Sequence, residues 1–144
     1  DAKQEPVAQV EQRDLDYVDY HQHPRPADLL LAVLREEWSS AERERYLRTC
    51  LWWIGNHAQR GQRTVSPMTD EQARGNMLRL LALHQAALPS DNDVEATAEL
   101  LRQLGRFDEA IVALGVRRDK TSKAAMIEDA AARGESRVFE VETF

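Results

Sequence analysis

Along most of this chain apolar residues return at intervals of three and four, the spacing that lines one face of an α-helix, with polar residues between them. Pro26 suits a first helical turn, where a missing N–H costs nothing, and predicts a first helix over 27–38 with Leu30, Leu31, Leu34 and Trp38 as its stripe, widened by Leu29 and Val33. Ser39 and Glu42 have the spacing of a capping box and start a second helix near residue 40. That helix runs to about residue 60 with two stripes side by side, Tyr46, Cys50, Trp53 and His57 next to Leu47, Leu51, Ile54 and Ala58. Gly61 and Pro67 mark its end, and Thr69 with Gln72 opens a third helix that carries Met77, Leu80, Leu81, His84 and Leu88 as far as Pro89. A fourth is expected over about 93–104 and a fifth from Phe107 to Gly115. A sixth, over about 121–133, has the small stripe Ala124, Ile127, Ala130 and Ala131.

These periods predict an all-α fold of six or seven antiparallel helices stacked as αα-hairpins. Residues 25–134 form the helical domain, 1–24 an acidic N-terminal arm, and 135–144 a tail or a short last helix. The clearest hairpin centres on Gly105, a residue able to take the left-handed conformation that ends a helix, followed by Phe107, Ala110, Ile111 and Leu114 at i, i+3, i+4 and i+7. Over this stretch the chain resembles the tetratricopeptide (TPR) family, whose repeats join their two helices through a glycine, an aromatic and a Glu-Ala pair, here Gly105, Phe107, Glu109 and Ala110. The likeness covers about one repeat, since the first half has no such turn and Gly134 follows Gly105 at less than the usual repeat length. It implies a right-handed stack of hairpins that binds a protein or peptide. Periodicity alone also leaves open an irregular helical bundle with one TPR-like hairpin.

Composition narrows the possible functions. With 42% hydrophobic and 31% charged residues the 144-residue chain has the balance of an ordered, water-soluble helical domain. One cysteine, Cys50, allows neither an internal disulfide nor a cysteine-based zinc site, and fits a cytoplasmic protein. No apolar run is long enough for a membrane span, although the chain begins at Asp1, so a removed upstream segment remains compatible with it. Charge is unevenly spread: residues 1–20 hold six acids against Lys3 and Arg13, whereas residues 43–79 hold seven Arg against Glu44, Asp70 and Glu71. The middle of the chain is thus locally basic, suited to an acidic arm or an acidic partner.

Catalytic and nucleotide motifs are missing: there is no phosphate-cradling glycine loop, no His-Glu-x-x-His and no Gly-x-Ser-x-Gly. Arg60 and Arg63 lack the lysine clusters of a nucleic-acid surface. His21 and His23 have a metal-compatible spacing with no third ligand near them, so no metal or cofactor is expected. The enzyme alternative rests on Glu36, Glu37, His57 and His84 meeting inside a bundle. The favoured expectation is a non-enzymatic protein–protein interaction module, an adaptor or scaffold; a small regulatory or immunity-type protein that neutralises one partner is the other alternative. Its candidate contact residues are Trp52, Arg48, Arg45 and Asn56. Trp52 has Arg48, Thr49, Gly55 and Asn56 as its helical neighbours, so it projects from the polar side of the second helix, where either another element or a partner covers it.

Overall fold

The computed structural model describes residues 25–60, 65–87, 91–115 and 122–139. The described residues form six helices: α1 (Pro26–Leu34), α2 (Ala41–Gln59), α3 (Asp70–Ala86), α4 (Asp91–Gln103), α5 (Phe107–Leu114) and α6 (Ser122–Ala132). Among the described residues there is no strand. Each helix packs against the next, and α6 also returns to α4, so the last three helices close on one another while α1 touches its neighbour α2. The acidic arm, His21, His23, Gly61, Arg63 and residues 140–144 lie outside the described residues.

The apolar stripes meet in three patches. Leu29 and Val33 of α1 pack with Leu47, Cys50, Leu51 and Ile54 of α2. At the centre, Trp52, Leu80 and Leu81 join Leu100, Leu101, Leu104, Ala110 and Ala131, so that α2 and α3 are welded to the last three helices. Ala98, Leu114, Ala124 and Ile127 form the third patch, where alanines let α4, α5 and α6 approach closely. Cys50 is fully buried, and burial pushes its thiol up to about 12, which leaves it without reactive thiolate at neutral pH. No helix among the described residues is long and apolar enough to cross a membrane.

Helix ends explain where the pattern was followed and where it was not. The Thr69–Gln72 capping box is formed, with Thr69 Oγ1 accepting from the Gln72 amide and Gln72 Oε1 accepting from the Thr69 amide. The second helix, however, is capped by Ser40 rather than Ser39: Ser40 Oγ accepts from the Arg43 amide at 3.1 Å, which moves Glu42 out of the reciprocal position. The first helix stops at Leu34, four residues before Trp38, because Glu36 turns left-handed at φ 55°. Its amide donates to the Val33 carbonyl and that of Glu37 to the Ala32 carbonyl, the paired bonds of a Schellman turn. The same pair of bonds closes α4 at Gly105, φ 80°, and α6 at Gly134, φ 67°. Residues 135–139, which the pattern left open between helix and tail, follow α6 as non-helical chain.

Of the three left-handed positions among the described residues, two carry glycine and one carries a glutamate. A Cβ added to Gly105 would meet nothing within 4 Å, so the cost of a side chain there is conformational alone. Gly105→Val is expected to destabilise by about 1–2 kcal/mol. Glu36→Gly is expected to stabilise by up to about 1 kcal/mol, because it relieves the same strain while loosening the unfolded chain. Chemical denaturation midpoints of the two variants should move in opposite directions.

Candidate functional site

Charged and amide side chains occupy the interior to an unusual degree: Glu44, Asn56, His57, Asn76, Glu95, Glu99 and Arg102 are all buried. They sort into a few constellations.

The first stitches α2 to α3. Glu44 of α2 is 3% exposed and accepts from Arg48 Nε at 2.8 Å and from Arg79 Nε and Nη2 at 2.9 and 3.0 Å. The hydrogen bond from Arg79 is the main reason its carboxyl is held below the usual range; burial opposes this, and Arg48 adds to it. Arg48 also donates to Asn76 Oδ1 at 3.3 Å and lies 5.6 Å from the centre of the Trp38 ring. Asn76 Nδ2 returns a bond to the Arg48 carbonyl.

The second constellation ties α2, α4 and the chain after α6 together. Glu99 and Arg102, one turn apart on α4, form a fork of two 2.7 Å bonds with side chains 1% and 0% exposed. Gln103 Nε2 donates to Glu99 Oε2 at 2.9 Å, and Gln103 Oε1 accepts from the indole N–H of Trp52 at 3.0 Å. On its other side Arg102 Nη1 donates to the Glu135 carbonyl at 2.7 Å, and its guanidinium lies 4.0 Å from the centre of the Phe139 ring. Arg60, at the end of α2, donates from Nε to the Phe139 carbonyl at 2.7 Å.

The third lies where the start of α2, the end of α3 and the start of α4 meet. His84 Nδ1 is 3.2 Å from Asp93 Oδ1, and Arg45 Nη1 is 3.8 Å from the same oxygen. Beside them opens a cleft of about 410 Å³ lined by Ala41, Glu42, Arg45, Leu83, Ala87 and Asp93. A smaller one of about 180 Å³ adjoins it, sharing Ala87 and Asp93 and including His84 and Thr97.

The four contact residues read from the sequence therefore part company. Trp52 is 3% exposed and Asn56 2%, so neither is a surface anchor. Of the two possibilities for Trp52, covering by another element is the one found: Gln103 of α4 satisfies the indole N–H, and the ring belongs to the central apolar patch with Leu100 and Leu101. Arg48 is committed to Glu44 and Asn76. Arg45 lines a cleft. For the enzyme alternative, Glu36 and Glu37 are exposed and His57 is 1% exposed. Among the described residues no three or more His, Cys, Asp or Glu side chains gather as a metal site would require. Sequence reasoning passed over Glu99 and Arg102. Their only signal was a Glu-x-x-Arg spacing on α4 that also suits an ordinary wet helix face.

No family model, no curated protein and no solved structure matches this chain.

Because Trp52 belongs to the central apolar patch, Trp52→Ala is expected to cost about 3–5 kcal/mol, read as a lowered denaturation midpoint. A pH effect follows from His84. Burial lowers its pKa from 6.5, with Asp93 opposing and Arg45 assisting. The unfolded chain then binds a proton at higher pH than the folded one, so this stability is complete above about pH 6.5 and is lost as pH falls toward the folded value. NMR titration should place the His84 ring below the ordinary histidine value, and His84→Gln should flatten the midpoint-versus-pH curve in that window.

Proposed function

We propose that this chain is a non-enzymatic protein–protein interaction module that docks an acidic, apolar-anchored segment of a partner protein in the cleft beside Arg45. The observation that carries the reading is the lining of that cleft. Leu83, Ala86, Ala87 and Ala41 offer an apolar floor, and Arg45 stands over it with a side chain 30% exposed. The Asp93 carboxylate oxygen is 3.8 Å away, beyond close hydrogen bonding, so the planar fork of donors can take a second carboxylate. The excess of arginine over residues 43–79 favours the same sign of partner. Glu42 on the cleft wall restricts where the partner's acid can sit, a repulsive element of the kind that gives specificity. The TPR-like turn at Gly105, Phe107 and Ala110 and the stacked hairpins support an adaptor or scaffold role. A regulatory or immunity-type protein that neutralises one partner would use the same cleft.

The test is a paired capture. A partner bound by the wild-type chain should be weakened about tenfold or more by Arg45→Glu, which reverses the charge over the cleft, while the unfolding free energy from denaturant titration changes by less than about 1 kcal/mol. Ala87→Trp, which fills the cleft, should weaken the same partner. Equal capture by all three chains would remove the cleft from the binding surface.

A further inference from the structure

The chain after α6 is held in a way that ordinary core packing does not require. Two arginines from different helices reach it, and both grip main chain: Arg102 of α4 takes the Glu135 carbonyl and Arg60, following α2, takes the Phe139 carbonyl, each at 2.7 Å. The side chain that meets this grip is Phe139, its ring 4.0 Å from the Arg102 guanidinium. Backbone carbonyls four residues apart and one aromatic ring are features that many extended segments share. The receiving side, by contrast, is built for this one task. Arg102 is 0% exposed and is oriented by its fork with Glu99, which is in turn braced by Gln103, itself tied to Trp52. A buried ion pair is a costly way to fill space, since apolar residues of the same volume pack as well or better.

The receiving side also has more donors than the tail uses. Trp53, Asn56 and Arg60 stand at i, i+3 and i+7 along α2, one stripe of the helix. The indole N–H of Trp53 and Nδ2 of Asn56 are buried without a hydrogen-bond partner, and Asn56 is 2% exposed. Buried donors without acceptors are rare because each forfeits the hydrogen bonds it had in water. An occupant offering further carbonyls along this stripe would satisfy them.

We propose that residues 135–139 are the cis occupant of a peptide seat formed by α2 and α4, and that the seat accepts an extended segment of another protein whose aromatic residue stacks on Arg102. The seat is separate from the Arg45 cleft, and its fate does not depend on that reading. The chain's own tail competes for the seat and keeps it closed until an incoming segment with more acceptors displaces it.

The full-length chain carrying Phe139→Ala tests this, with a fluorescent peptide of the sequence 133–139 as the probe. The variant should bind the probe about tenfold or more tighter than the wild-type chain does, because the intact tail already fills the wild-type seat. On the same variant a probe with alanine in place of the phenylalanine should bind about tenfold more weakly, a comparison that the stability of the variant does not enter. A probe retaining the phenylalanine but with alanine at the positions of Ser136, Arg137 and Val138 should bind within about threefold of the original, since main chain and one ring carry recognition. Adding Arg60→Ala should weaken the probe again. Phe139→Leu, which keeps apolar bulk, guards against a misfolded alanine variant and should open the seat to an intermediate degree.

If folded variants, judged by circular dichroism, bind both probes equally or not at all, the tail is merely part of the interior and the proposal fails. It fails too if the probe with alanine at the positions of Ser136, Arg137 and Val138 loses binding, because the seat then reads only its own tail. Failure of both variant chains to fold would mean that no seat exists apart from its tail. A wild-type dimer that exchanges tails would make the occupant a second copy and overturn the heterologous partner.

Discussion

The Glu99–Arg102 fork is the interaction on which the rest of this structure depends. Two opposite charges, with side chains 1% and 0% exposed, have been taken almost wholly out of water. Desolvating each costs several kcal/mol, and their mutual attraction repays that only if the remaining lone pairs and N–H groups are also satisfied. The partners that complete the set come from three directions: Gln103 on the same helix, the Glu135 carbonyl from beyond α6, and the Phe139 ring above. Through Gln103 the demand passes to Trp52 and so to α2. A helix pair packed by leucine alone tolerates small slides; this one is pinned, because a shift of about an ångström would leave a buried charge without its hydrogen bonds.

The Glu44 constellation shows the other way a charge is kept inside. Glu44 is as buried as Trp52, yet one of its arginines, Arg79, keeps its side chain 52% exposed. That arrangement lets water share the cost and makes α2–α3 the more forgiving seam. The two seams divide the work: α2 with α3 gives a stable edge, and α4 with its neighbours gives a rigid, polar-lined one. The Arg45 cleft lies at the first, the arginine-held tail at the second, so the two candidate interaction sites sit at opposite ends of α2.

Much of the architecture was legible in the sequence. The helices and their stripes follow from apolar spacing, and Gly105 and Gly134 end their helices because only the left-handed conformation lets the next two amides reach back to the last carbonyls. Thr69 and Gln72 identify their own cap. Where a boundary was misjudged, two rules competed locally: Ser39 and Ser40 are equally good caps by type, and Glu36 took a left-handed turn that its residue type disfavours.

What the sequence determined by itself is thus the set of helices, the turns between them and the absence of the motifs that mark common catalytic and nucleotide sites, because each depends on residues within one or two turns of one another. What only the tertiary structure decided is which polar residues face inward. Trp52 projects from the polar side of its own helix and is buried by one 51 residues away, and Arg102, whose spacing from Glu99 suits a wet helix face, proves fully enclosed. A helix pattern records the period of the side chains but not the polarity of what will be packed against them. A polar residue can be buried wherever a distant segment brings the complementary donor or acceptor, and that pairing is made by the fold as a whole.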